Sequence, residues 1–200
     1  TSKLAGAAGG FIGQCHKLAH YNRPETRPED PSRRPVVYWT EGATDLIALV
    51  SVLGPGSQYL VPGPIEDVVC ISNTNGASEQ ASAAQIEYLL AANPEHVYVI
   101  GDADRPGVLG ARAKAMALQA AGIPATAVYP PFPVVVSGGK DLRDYLRDYP
   151  PAGRPDYAPL YELLLPITEE PLQDATAAGE RTMRKQAAAL CERLQLHVVG

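Results

Sequence analysis

Cysteine is scarce in this chain. It occurs three times in 200 residues, at Cys15, Cys70 and Cys191. An odd number of widely spaced thiols excludes a disulfide framework and points to reduced cysteines and a cytoplasmic setting. Basic charge is not in excess either: 17 Lys and Arg stand against 22 Asp and Glu, a net charge of −5. That balance excludes wrapping nucleic acid by bulk charge and leaves room only for a local nucleic-acid site. No apolar run approaches the roughly 18 residues that a membrane span needs, and the opening residues do not read as an export leader. Charged residues make up only 20% and apolar residues 46%, so a packed core is expected and whole-chain disorder is excluded. The length suits one ordinary domain with an appendage. A first residue Thr1 and a last residue Gly200 after Val-Val read as a segment of a longer protein.

The chain divides into three stretches. Residues 1–35 hold a glycine-rich apolar segment at 4–13, suited to a turn or short hairpin, and a connector at 22–35 with four prolines and seven charges. Residues 36–149 alternate strands and helices. Strands are expected over VVYWT (36–40), 58–61, VVCIS (68–72), HVYVIG (96–101) and ATAVY (125–129). Helices are expected over 43–53, 79–91, 107–121 and, after a loop rich in proline and glycine, DLRDYLRDY (141–149). Such alternation implies right-handed crossovers and a mainly parallel sheet flanked by helices, an α/β fold. Residues 150–200 begin as a linker and continue as a helical appendage over 159–165 and 174–196. In the second of these, Met183, Ala187, Leu190 and Leu194 make an apolar stripe.

Open α/β sheets place ligands at the carboxyl ends of their strands. Two strands end in acids there: Glu41 after VVYWT, and Asp102 with Asp104 after VYVIG. Along extended backbone Asp102 and Asp104 point the same way. Two carboxylates about 4 Å apart repel by roughly 4 kcal/mol at an effective dielectric near 20. A hard cation such as Mg²⁺ removes that penalty with all-oxygen ligands. The competing reading makes both aspartates caps of the turn and helix that follow. Asp45 lies one helical turn beyond Glu41 and either orients the site or favours the helix dipole. Lys140 beside Asp141 is either a phosphate contact or a surface lysine ahead of a capping aspartate.

The order strand-Glu41-Gly42-x-x-Asp45, strand-Asp102-x-Asp104-x-x-Gly107 and Lys140-Asp141-Leu142-x-Asp144-Tyr145-Leu146 resembles the TOPRIM domain shared by bacterial-type primases, topoisomerases and some nucleases and recombination proteins. The resemblance covers about residues 36–149, and Gly76-Ala77 is similar to the small-residue turn of such domains. The Lys-Asp-Leu-x-Asp-Tyr-Leu ending is most similar to the primase branch, including primase-helicases. The resemblance implies a Rossmann-like sheet. It implies Glu41 as a general acid or base that also borders the metal, Asp102 and Asp104 as Mg²⁺ ligands with Mn²⁺ as a substitute, Asp45 and Asp141 as auxiliary acids, and Lys140 as a phosphate contact. It implies primer synthesis on single-stranded DNA from nucleoside triphosphates, alongside flanking domains such as a helicase. The alternatives within the family are DNA cleavage of the topoisomerase or nuclease type, and a DNA-binding or assembly module without chemistry. The chain departs from the family pattern at Arg105-Pro106, where an acid or Asn and then Ala are more common. Arg105 is there a candidate phosphate contact.

Other motifs have simpler explanations. Cys15, His16 and His20 have metal-like spacing but no fourth ligand nearby. Ser137-Gly-Gly-Lys140 lacks the first glycine and the terminal Ser or Thr of a phosphate-binding loop, and Gly54-x-Gly56 lacks a third glycine. Trp39 lies within an apolar strand, so core packing outweighs base stacking. The basic residues Arg181, Arg184, Lys185 and Arg193 read as a solvated helix face.

Overall fold

In the computed structural model, the described residues are 10–23, 25, 28, 30, 33–53, 67–73, 80–148 and 160–168. The elements run β1 (Phe11–Gly13), α1 (Cys15–Asn22), β2 (Val36–Thr40), α2 (Ala43–Val52), β3 (Val68–Asn73), α3 (Ala83–Ala92), β4 (His96–Ile100), α4 (Arg105–Ala120), β5 (Ala125–Tyr129), α5 (Leu142–Asp148), α6 (Leu160–Leu163) and β6 (Leu165–Pro166). The expected strand at 58–61, the pairs Gly54-x-Gly56 and Gly76-Ala77, and the helix over 174–196 lie outside the described residues.

All five residues of β2 are buried. A run of β-branched and aromatic side chains without alternation needs cover on both faces and neighbours on both edges. The sheet provides both. Its strand order is β1-β3-β2-β4-β5-β6. The central four strands are parallel, with Val36 level with Val68 on one side and with His96 on the other. The edges are antiparallel, β1 on β3 and β6 on β5. This is a mixed α/β sheet flanked by helices, as the alternation of the sequence implies.

Side-chain alternation divides the core into two layers. Val37, Trp39, Val69, Ile71, Val97 and Val99 meet Leu18, Leu89, Ala111, Ala115 and Leu118, so α1, α3 and α4 cover one face. Val36, Tyr38, Val68, Cys70, Ile100 and Val128 meet Leu46, Leu49, Leu142, Tyr145, Leu146 and Leu160, so α2, α5 and α6 cover the other. Residues 11–22, which precede the connector, supply β1 and α1 to this same sheet and core: Phe11, Cys15 and Leu18 are buried within it. The short edge strand β6, a further addition to the sheet, follows the stretch that the sequence reads as linker.

Strand β2 leads through α2 to β3 on one side, whereas β4 lies on its other side. The strand order therefore reverses between the carboxyl ends of β2 and β4, where open α/β sheets form their ligand crevice. Asn73, at the end of β3, braces this region. Its Oδ1 accepts from Trp39 Nε1 at 3.0 Å and from Gln85 Nε2 at 2.9 Å.

The turn after β4 is held by backbone meeting backbone. A Cβ on Gly101 would stand 2.3 Å from the carbonyl oxygen of Gly107, and one on Gly107 would stand 2.6 Å from the nitrogen of Asp102. A Cβ on Gly139 would stand 2.2 Å from the oxygen of Ala103. The segment 135–140 is laced to this turn: Val135 N donates to Ala103 O at 3.1 Å, Arg105 N to Val135 O at 2.9 Å, and Ala103 N to Lys140 O at 2.9 Å.

Replacing glycine by alanine inside an ordinary helix stabilises it by roughly 0.5–1 kcal/mol. Gly107→Ala is expected to reverse that sign, because backbone atoms of Asp102 cannot rotate away. A loss of about 1–3 kcal/mol in urea denaturation is the expected result, and a gain would show that the two backbones separate readily.

Candidate active site

Glu41 follows β2 directly, and Asp102 follows β4 by one residue. Because β2 and β4 are adjacent and parallel, with Thr40 level with Ile100, the two acids come side by side at the strand-order reversal. Glu41 Oε2 accepts a hydrogen bond from Asp102 N at 3.2 Å. Asp45, in the first turn of α2, is 6% exposed. Asp104 and Asp141 complete an acidic corner, and all four of these other carboxylates act electrostatically on Asp102.

The electrostatics of the corner follow from burial and like charge. Burial, then Glu41, Asp45, Asp141 and Asp104 in turn, push the Asp102 carboxyl from its ordinary 3.8 up to about 8. Burial raises Glu41 as well, with partial relief from the Asp102 amide and the charge of Lys114. Burial and Asp141 raise Asp45, and Arg143 offsets part of that. Every charge that acts most strongly on Asp102 is thus another carboxylate.

The sequence-derived residues do not all play one role. Asp104 caps α4: its Oδ1 accepts from Gly107 N at 2.9 Å and its Oδ2 from Gly139 N at 3.2 Å. Asp141 caps α5, accepting from Asp144 N at 2.8 Å, while Asp144 returns the bond to Asp141 N at 3.3 Å. Capping is therefore realised at both positions. Lys140 is directed elsewhere: its Nζ pairs with Asp148 at 3.2 Å and lies 4.6 Å from the Phe132 ring centre. Arg105 is exposed at the first turn of α4 beside the corner. Cys15 is buried in the core between α1 and its neighbours.

Two residues escaped the sequence reading. Lys114 is only 2% exposed, its Nζ is 5.9 Å from the centre of the Trp39 ring, and its charge acts on Glu41. The clue was periodicity. Lys114 falls in the buried stripe of α4 with Gly107, Val108, Ala111, Ala115 and Leu118, where an unpaired lysine would be costly. Arg143, on α5, pairs with Asp45 and Asp141, which lie on different elements. That pairing is visible only after the chain folds.

Among the described residues no three Asp, Glu, His or Cys side chains converge as a closed metal cage. Mg²⁺ does not require one, since it is commonly bound through one or two carboxylates, waters and substrate phosphates. The donor set here is all oxygen, and the carboxylates around Asp102 raise its proton affinity, a cost that a cation among them would relieve. Glu41, Asp102 and Asp104 are the residues that would hold such an ion.

Raised carboxyl pKa values make a definite prediction for the metal-free chain. The folded state holds protons on Asp102 that the unfolded chain releases near pH 4, so stability falls as pH rises from about 4 to about 8. Glu41 and Asp45 act in the same direction. Half-buried His96, whose pKa is lowered, contributes the opposite slope near its ordinary 6.5. Comparison with Asp102→Asn cancels the His96 contribution. In EDTA the melting temperature of the variant is expected to exceed that of the wild type by a few degrees at pH 8, equivalent to about 1 kcal/mol. The gap should close toward pH 4.5. A gap independent of pH would show that Asp102 is not the group being titrated.

No family model matches the chain, and no curated protein matches it. Among solved structures, the chain is similar to the zinc-binding and RNA polymerase domains of the Aquifex aeolicus primase, with a TM-score of 0.45 and 18% sequence identity. The alignment covers 80% of this chain and 36% of that one, so the chain spans about a third of that primase chain's length.

Proposed function

We propose that the chain is the catalytic TOPRIM domain of a DNA primase or primase-helicase, joining nucleotides into primers on single-stranded DNA with Mg²⁺. The observation that carries this reading is the pairing of Glu41 with the Asp102 backbone at the strand-order reversal, within a cluster of carboxylates that raise the pKa of Asp102. A cation is the simplest means of relieving that repulsion. Bound there, Mg²⁺ supplies charge neutralisation for the triphosphate and the attacking 3′-oxygen.

The chain's own residues do the rest. Glu41, whose proton affinity is raised by burial, accepts the proton of the primer 3′-hydroxyl. The amide of Asp102 holds Glu41 Oε2 in place at 3.2 Å. Asp104, fixed by two backbone donors, presents its remaining lone pairs to the ion. Arg105, exposed beside these acids, would meet a triphosphate oxygen. Lys140 would have to leave Asp148 to do the same.

A second reading has support of its own. Asp104 and Asp141 are already engaged as caps, and Lys140 is engaged with Asp148, which suits a DNA-binding or assembly module without chemistry. The two readings part in one experiment. Primer synthesis from nucleoside triphosphates on a single-stranded template, with Mn²⁺ or Mg²⁺, is expected of the wild type. It should fall about 100- to 10,000-fold in Glu41→Gln, with the circular dichroism spectrum unchanged. Wild-type synthesis by Glu41→Gln would overturn the catalytic reading. A wild type that binds DNA but makes no primers would favour the assembly module.

A further inference from the structure

Arg143 stands between two carboxylates that belong to different elements. Its Nε lies 3.3 Å from Asp45 Oδ1 on α2 and 2.9 Å from Asp141 Oδ2 at the start of α5, and its Nη2 closes on the same Asp141 oxygen. The Asp45 side chain is 8% exposed and that of Arg143 is 50% exposed. Asp45 Oδ1 is buried and has no hydrogen-bond partner. The cation facing it is the Arg143 Nε. A buried, anionic oxygen without a hydrogen bond and directed at a cation is the environment of an ion site.

We propose that Arg143 is a built-in cation for the outer half of the acidic corner. It occupies the place between Asp45 and Asp141 that a second divalent ion would otherwise take, so the chain holds a single metal ion on the Glu41, Asp102 and Asp104 side. The inference rests on the metal reading given above and adds its stoichiometry. Charge distribution supports it. Asp45 receives opposing charge from Arg143 and Glu41 receives it from Lys114, whereas the strongest influences on Asp102 are all acidic. A guanidinium stays charged at every working pH, so one of the two outer charges is offset permanently and the inner acids are left to the divalent ion. Arg143 is thus a positioning residue that directs the metal inward.

Mn²⁺ alone is the probe, counted by titration calorimetry on the full 200-residue chain. The wild type is expected to bind one Mn²⁺. Arg143→Ala and the length-preserving Arg143→Gln should each bind two, and the added site should vanish in Arg143→Ala/Asp45→Asn. Arg143→Lys, which keeps the charge, should return to one. Because Arg143 is half exposed, its variants should fold, and Arg143→Gln decides the matter if Arg143→Ala does not. Two ions on the wild type, or one on both wild type and Arg143→Gln, would overturn the role of Arg143 while leaving the metal reading intact. No Mn²⁺ on any variant would overturn both. An ion that binds only when Arg143 is removed, and is lost again with Asp45, would uphold the role of Arg143 and overturn the inner metal site.

Discussion

The contact on which the site depends involves no side chain. At the end of β4, Gly101 lies against Gly107, Gly107 against Asp102, and Gly139 against Ala103, each closer than a Cβ would permit. These approaches press the first turn of α4 and the 135–140 segment onto the four residues that carry Asp102 and Asp104. Hydrogen bonds from Gly107 and Gly139 to the two oxygens of Asp104 then follow from the backbone geometry. A side chain at any of the three glycines would meet the backbone of this turn first.

The sheet places a second strain at the same point. Parallel strands bring Glu41 and Asp102 together whether or not their charges agree, because the register of β2 on β4 is fixed by buried Val37, Trp39, Val97 and Val99. Burial of those side chains outweighs the electrostatic cost, which is confined to a few partly solvated groups. The fold therefore holds the acids in an arrangement they would not adopt alone. Carboxyls perturbed in this way cluster at functional sites.

The sequence made the strand-end acids visible because position alone determines their setting. An acid directly after an apolar run of five β-formers must emerge at the carboxyl edge of the sheet, and this applies to Glu41 and, one residue further on, to Asp102. What escaped depended on tertiary pairing. The strand β1 has three residues and joins the sheet by antiparallel pairing with Asn73, Ser72 and Ile71, a partnership for which the sequence holds no periodic cue. β6 has two residues and the same problem. Lys114 was legible in principle, since the helical period puts it among buried alanines, but a lysine in an alanine-rich helix is ordinarily read as a solubilising residue. Arg143 was not legible, because its two acids lie on α2 and at the start of α5, and only packing of those helices joins them.

Capping and metal binding at Asp104 are compatible. An ionised carboxylate has about four acceptor sites, and Asp104 uses two, one on each oxygen. The backbone donors remove rotational freedom from the side chain, which a free aspartate would otherwise lose on binding an ion. They also add positive polarity from the start of α4, which tempers the repulsion with Asp102. Asp102 has no such restraint, and its carboxyl carries the largest rise in pKa within the corner. The two aspartates of one short motif therefore differ: Asp104 is fixed by backbone donors, and Asp102 carries the strain of its acidic neighbours as a raised pKa.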